Sequence, residues 1–283
     1  MMRTPYNLTS SVLFRASRGL VLGAAFIALA IGPAFADTLD VDTIVARANA
    51  AAYYAGDDGR AEVRLTIVDA QGREQRRQFT ILRRDVEQSG DQQFLVVFSQ
   101  PSDLRNTVFL VTKHAGADDD RWLYLPGLDL VKRISAGDKR TSFVGSHVLY
   151  EDVSGRGVDE DRHELVETTA DAYVLRHTPT NPSAVEFATY TTWIDRSSFL
   201  PTKIEYTDRK GEVYRRISSQ EVREIQGHPT VVKSLVEDLA GGGSTRMEFR
   251  YITYDTGVPE NIFGERSLRQ PPARWMKRPT NGR

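Results

Sequence analysis

The sequence predicts a mainly β, α+β protein: one large antiparallel sheet, curled on itself, with one or two helices and a loop lidding an apolar space. Three observations predict it. About ten segments are strand-like, the first of them alternating apolar and polar residues with the period of two that a pleated strand imposes. Short turns ending in Gly, such as DAQG (69–72) and DRKG (208–211), join strands as hairpins, because Gly accepts the positive φ such turns demand. Only one substantial helix accompanies them, too little to cover one face of a sheet this large.

Taken in order, residues 1–36 read as a secretory signal. Arg15 and Arg18 precede an apolar run from Gly19 to Gly32, and Ala34-Phe35-Ala36 supplies an A-x-A cleavage site. The mature chain is expected to begin at Asp37 and to hold a single domain over residues 37–283. Asp40 then stands as the N-cap of a helix carrying Val41, Ile44, Val45, Ala48 and Ala52 at helical spacing, stopped by Gly56. In AEVRLTIVD, Val63, Leu65 and Ile67 face one way, with Glu62, Arg64 and Thr66 facing the other. Further strands follow at REQRRQFTILRR, QQFLVVFSQ, NTVFLVTKH, DRWLYLP, HELVET, AYVLRHT, FATYTTWID, TKIEYT, EVYRRISS, TVVKSLVED and STRMEFRYITYD. Besides the first helix, only the Gly- and charge-rich segment from Ala136 to Asp161 and a short PENIF helix interrupt the meander. After Gly264 the chain is Pro-rich and basic, with Arg266, Arg269, Arg274, Lys277, Arg278 and Arg283 against Glu265 alone. That tail (about 264–283) is expected to be solvated, or to touch anionic headgroups or an acidic partner surface transiently.

Composition excludes several functions. The chain has no Cys, which rules out disulfides, thiolate catalysis, Cys-bound metal and a lipid-bearing Cys after the signal. Its net charge is −1, with three Arg and no acid in residues 1–36, so the remainder is mildly acidic. Without a basic stripe, nucleic acid is not an expected partner. His114, His147, His163, His177 and His228 show neither H-x-x-x-H nor H-x-H spacing, and no metal site is predicted. Ser146 and His147 are neighbours on an extended chain and point apart, and FVGSHV lacks the second Gly of a nucleophile elbow. GADDDR reads as a solvated hairpin loop. YEDVSGRGVDEDR lacks the ligand register of a calcium loop. Its Glu151, Asp152 and Arg156 are read instead as ion-pairing groups that pin an irregular loop over the sheet. AGGGST lacks the Lys and helix of a phosphate loop. No catalytic residue or cofactor motif survives, and the chain is not expected to be an enzyme.

The apolar side chains remain. Val63, Leu65, Ile67, Phe79, Ile81, Phe94, Val96, Phe98, Phe109, Trp122, Tyr124, Trp193, Phe249 and Tyr251 are predicted to share one face and to line an apolar cavity, the usual form of a lipid or small-molecule site. RWLYLP (121–126) is the ambiguous case, because both faces of that strand are apolar.

RWLYLPGLDLVKRISAGDKRTSFVGSHVLYEDVSGR resembles the signature of the outer-membrane lipoprotein-sorting, LolA/LolB-like family, and most of all the branch found with RND-type (MMPL-like) exporters. Its W-x-Y-L-P, K-R-I, S-F-x-G-S and Y-E-D elements match in order at Trp122–Pro126, Lys132–Ile134, Ser142–Ser146 and Tyr150–Asp152. WIDRSSFLPTKIEYTDRKG is similar to the family's strand–turn–strand segment. The resemblance implies an unclosed β-barrel with a helix-lidded cavity for acyl chains. It implies a periplasmic carrier of lipid or lipidated protein that works with an inner-membrane RND/MMPL-type exporter. A non-transporting adaptor docking to an exporter is the alternative reading, and an exported hydrolase using the 146–161 loop a weaker one. A monomer is expected. Under it, Trp122 and Tyr124 are expected on the cavity wall, with Leu123 and Leu125 packed on the opposite face.

Overall fold

The structure is a computed structural model describing residues 39–86 and 90–278. The signal reading of residues 1–36 lies outside the described residues. Asp40 caps the first helix, α1 (Val41–Tyr53), accepting from the Thr43 amide at 2.8 Å and so satisfying one of the unpaired N–H groups of the first turn.

The strands form two meanders. The first comprises β1 (Asp58–Val68), β2 (Glu74–Asp85), β3 (Gln92–Gln100), β4 (Val108–Lys113), β5 (Asp120–Leu125) and β6 (Leu130–Ile134). The second comprises β7 (Asp161–Thr168), β8 (Ala172–Pro179), β9 (Thr189–Asp195), β10 (Pro201–Thr207), β11 (Val213–Ile225), β12 (His228–Asp238) and β13 (Ser244–Tyr254). Pairing of β1 with β13 joins them into one 13-stranded antiparallel sheet ordered β6-β5-β4-β3-β2-β1-β13-β12-β11-β10-β9-β8-β7. The sheet is an unclosed barrel whose two edges are β6 and β7. Those edges are consecutive in sequence, so residues 135–160 run from one to the other as a strap, with α2 (Tyr150–Ser154) inside it. The short edge strand β6 is the element that apolar alternation did not reveal: only Ile134 of its five residues is buried.

On the inner face, Val63, Leu65, Ile67, Phe79, Phe94, Val96, Phe98 and Phe109 form one core with Phe143, Val148 and Tyr150 of the strap. Helix α1 packs Ile44 and Ala48 against Tyr173, Leu175 and Ile194 at the β8–β9 end. The outer face of β2–β5 is covered too. There Leu82, Leu95, Val97, Val108 and Leu110 pack against Val258, Ile262, Phe263 and Leu268. The chain after β13 thus folds back as a 3-10 turn (Glu260–Ile262), α3 (Arg266–Arg269) and α4 (Ala273–Met276). The expectation of a solvated tail is corrected over its described part: Leu268 is 2% exposed, and Trp275 and Met276 join the same cluster.

This covering resolves RWLYLP. A strand buried on both faces shows no polar alternation. Leu123 and Leu125 join the inner core, whereas Trp122 and Tyr124 pack outward against the C-terminal segment. The expected wall positions of Trp122 and Tyr124 are therefore reversed.

Candidate functional site

Between the inner face and its roof lies a cavity of about 450 Å³. Leu65, Phe79, Ile81, Phe94, Ile217, Met247 and Phe249 form its floor, α1 from Val45 to Tyr53 one side of its roof, and Val148 to Val158 of the strap the other. Such size and lining suit one small apolar ligand.

Of the fourteen residues expected on the wall, Leu65, Phe79, Ile81, Phe94 and Phe249 line this space. Val63, Ile67, Val96, Phe98 and Phe109 share the face but are buried in solid packing. The strap supplies the reason. Phe143 stands 5.7 Å from Phe98 and 5.4 Å from Phe109, ring centre to ring centre, and Tyr150 stands 5.1 Å from Phe109. Aromatic rings therefore fill that end of the barrel.

Two more expected wall residues are corrected. Thr192 and Ile194 take the inward places on β9, so Trp193 points outward beneath Lys203, whose Nζ lies 3.4 Å from the ring centre. Tyr251 is 51% exposed and has φ +51°. Register slips there, with Arg60 opposite Thr253 and Glu62 opposite Arg250, leaving Ala61 facing two residues. This β-bulge shifts the alternation by one, so Ile252 and Tyr254 face inward in place of Tyr251.

The strap is held by charge. Glu151 is 2% exposed and is surrounded by Arg140, by Arg156 Nη1 at 3.1 Å and by Lys139 Nζ at 3.5 Å. Burial alone would raise its carboxyl, but these cations outweigh burial and hold it below the ordinary value. Arg156 also donates to Asp161 at 2.7 Å, Arg140 to Glu186 at 2.8 Å, and Arg215 to Asp152 at 2.5 Å. Asp152 in addition accepts from the Leu149 amide at 2.7 Å. At Gly155 (φ +77°) a Cβ would sit 2.5 Å from the Tyr53 ring, so Gly lets the strap and the end of α1 touch. Asp119 is not a solvated loop acid: it pairs with buried Arg121 at 2.6 Å and accepts from the Ser154 hydroxyl at 3.0 Å.

Ser146 donates to the Phe143 carbonyl at 2.7 Å, whereas the His147 ring meets the Thr245 hydroxyl at 2.9 Å. The two residues thus engage different partners. Among the described residues no three His, Asp or Glu side chains are placed to hold a metal ion. Strand register instead brings together His163 and His177, Nδ1 to Nδ1 at 2.7 Å, which linear spacing could not show.

The unclosed antiparallel barrel is shared with solved structures of LolA-like fold. A DUF1329 family protein from Desulfovibrio piger is 27% identical, with TM-score 0.73 over 80% of this chain and 96% of its own. A domain from Vibrio parahaemolyticus described as outer membrane lipoprotein-sorting is likewise 27% identical, with TM-score 0.72 over 81% of this chain and 96% of its own. A LolA superfamily protein from Nitrosomonas europaea shares the fold at 18% identity, with TM-score 0.63 over 81% of this chain and 99% of its own. No curated protein matches the sequence. The profile of a family described as "Uncharacterized protein" covers residues 90–270, well over half of the chain; the chain belongs to that family and has the LolA-like fold.

Proposed function

We propose that the chain is a periplasmic carrier or chaperone, without enzymatic activity, that shelters the acyl chain of a lipid or lipidated protein. The observation that carries the reading is the apolar cavity of about 450 Å³ between the sheet and its roof. Each acyl methylene moved there from water contributes about 0.8 kcal/mol, so a chain needs no covalent step to be held. Relatives described as lipoprotein-sorting and as LolA superfamily support the same reading. No helix among the described residues is long and apolar enough to cross a membrane. The exporter partner, an RND/MMPL-type inner-membrane protein, rests on the resemblance of residues 121–156 alone.

Native mass spectrometry of the protein purified from its own periplasm tests the proposal. A co-purifying acylated species is expected, its mass telling a free lipid from a lipidated protein. Protein that is uniformly ligand-free and takes up no added lipid would instead support an adaptor that docks on an exporter and carries nothing.

A further inference from the structure

One row of the inner face beneath the strap is polar. His163, His177, Tyr190, Tyr206 and Arg215 are successive register partners across β7 to β11. Their side chains form a continuous stack: centroids lie 4.9 Å apart for the two His, 4.3 Å for His177 and Tyr190, and 5.1 Å for Tyr190 and Tyr206. The Arg215 guanidinium lies 5.2 Å from the Tyr206 ring. Tyr53 lines the same cavity from the roof, at the end of α1.

The hydrogen bonds of this row are incomplete. His163 Nε2 lies 2.7 Å from the Val158 carbonyl and so carries its proton, which makes His163 Nδ1 an acceptor and His177 Nδ1 its donor. His177 Nε2 is thereby left a bare acceptor without a partner, and Arg215 Nη1 a donor without one. Tyr190 donates to Asp161 at 2.8 Å. The hydroxyls of Tyr53 and Tyr206 make no hydrogen bond among the described residues and, unlike those two nitrogens, are not sealed from the cavity that both residues line. His177, Tyr206 and Arg215 are only 5%, 5% and 6% exposed. Buried polar groups are almost always paired, because an unpaired one forfeits its hydration.

We propose that this row, with Tyr53, is a subsite for the polar end of the cavity's ligand, and that the ligand class is an uncharged acyl ester rather than a fatty-acid carboxylate. The inference rests on the carrier reading and deepens it. Hydroxyl donors match an ester carbonyl oxygen. Burial, with Asp152 and Glu151 nearby, pushes the Tyr53 hydroxyl above its ordinary value; burial does the same for Tyr206, so both stay protonated donors. A carboxylate meets the opposite conditions. Lys139, Arg140, Arg156 and Arg215 are each already paired with acids, and Glu151 and Asp152 themselves line this end of the cavity. A further anion would be buried beside Glu151 and Asp152 and would have to share cations those acids already neutralise. An ester instead offers acceptors to open donors such as Arg215 Nη1 and brings no charge.

Displacement of a bound apolar dye by methyl laurate, laurate and dodecane tests this, with wild type, Tyr206→Phe and Tyr53→Phe compared at neutral pH. Each variant removes one hydroxyl and keeps the ring. Wild type should bind methyl laurate more tightly than either of the others. Each variant should weaken methyl laurate roughly fivefold, the worth of one hydrogen bond, and leave dodecane unchanged. Dodecane binding with laurate preferred, or with methyl laurate unaffected in both variants, would remove the subsite and leave the carrier standing. Failure of all three to bind would remove both. A free glycerolipid and the lipid anchor of a protein offer the same ester, and the mass of the natively carried ligand separates them.

Discussion

His177 is buried within the polar row, with His163, Tyr190 and Arg156 around it. Burial, aided by His163 and Arg156, pushes its pKa from the ordinary 6.5 down to about 3. The folded chain thus keeps His177 neutral at pH values where the unfolded chain protonates it. Its contribution to stability is complete above pH 6.5 and is lost as pH falls from there toward 3. The loss should be on the order of 1 kcal/mol between pH 6.5 and about 5.5, above the range where carboxylates titrate. Urea unfolding across that interval should show the decline in wild type and a flatter dependence in His177→Gln. Equal slopes in the two proteins would refute the assignment. Glu151 belongs to a different regime. Its depressed carboxyl gives stability that is present above about pH 4.5 and fades only below it.

At the scale of elements, the strap and the C-terminal segment cover opposite faces of the same strands. The strap fills one end of the barrel with Phe143 and Tyr150, and its ion pairs fix where α2 lies over the cavity. The C-terminal segment covers the outer face, where Arg60 of β1 donates to the Trp275 carbonyl at 3.0 Å and Arg269 of α3 meets Asp129 at 3.0 Å. Trp122 on that face is packing, not wall. Trp122→Ala should cost about 2–3 kcal/mol of stability, below the 3–5 kcal/mol of a fully buried aromatic, because Trp122 is only partly buried. Acyl-dye affinity should stay at the wild-type value. A denaturation midpoint and a dye titration on the same preparation check both halves; lost affinity with intact stability would return Trp122 to the cavity.

Over the whole molecule, what the sequence revealed was what is local. Strand β1 alternates cleanly from Glu62 to Val68, where the apolar layer against it lies inside, and α1 announces itself through Asp40 and the spacing of Ile44 and Ala48. Trp122 and Tyr124 lie opposite to the expected face because β5 is covered on both sides, and the outer cover comes from residues 258–276, far along the chain. Tyr251 lies outside because of a bulge, which leaves no mark on a pattern of two until the pairing with β1 is known. The polar row was invisible for a related reason: its five members sit on five strands and become neighbours only through register.

A carrier of this build holds its acyl chain against the inner face of the sheet. Photolysis of a laurate methyl ester bearing a terminal diazirine, bound to the protein and followed by peptide mapping, reads that position directly. Adducts should fall on inner-face residues such as Leu65, Ile81, Ile217 and Phe249, and should be suppressed by excess unlabelled ester. Adducts confined to outer positions such as Trp122, Trp193 and Tyr251, or no adduct that competes, would exclude acyl binding at the inner face.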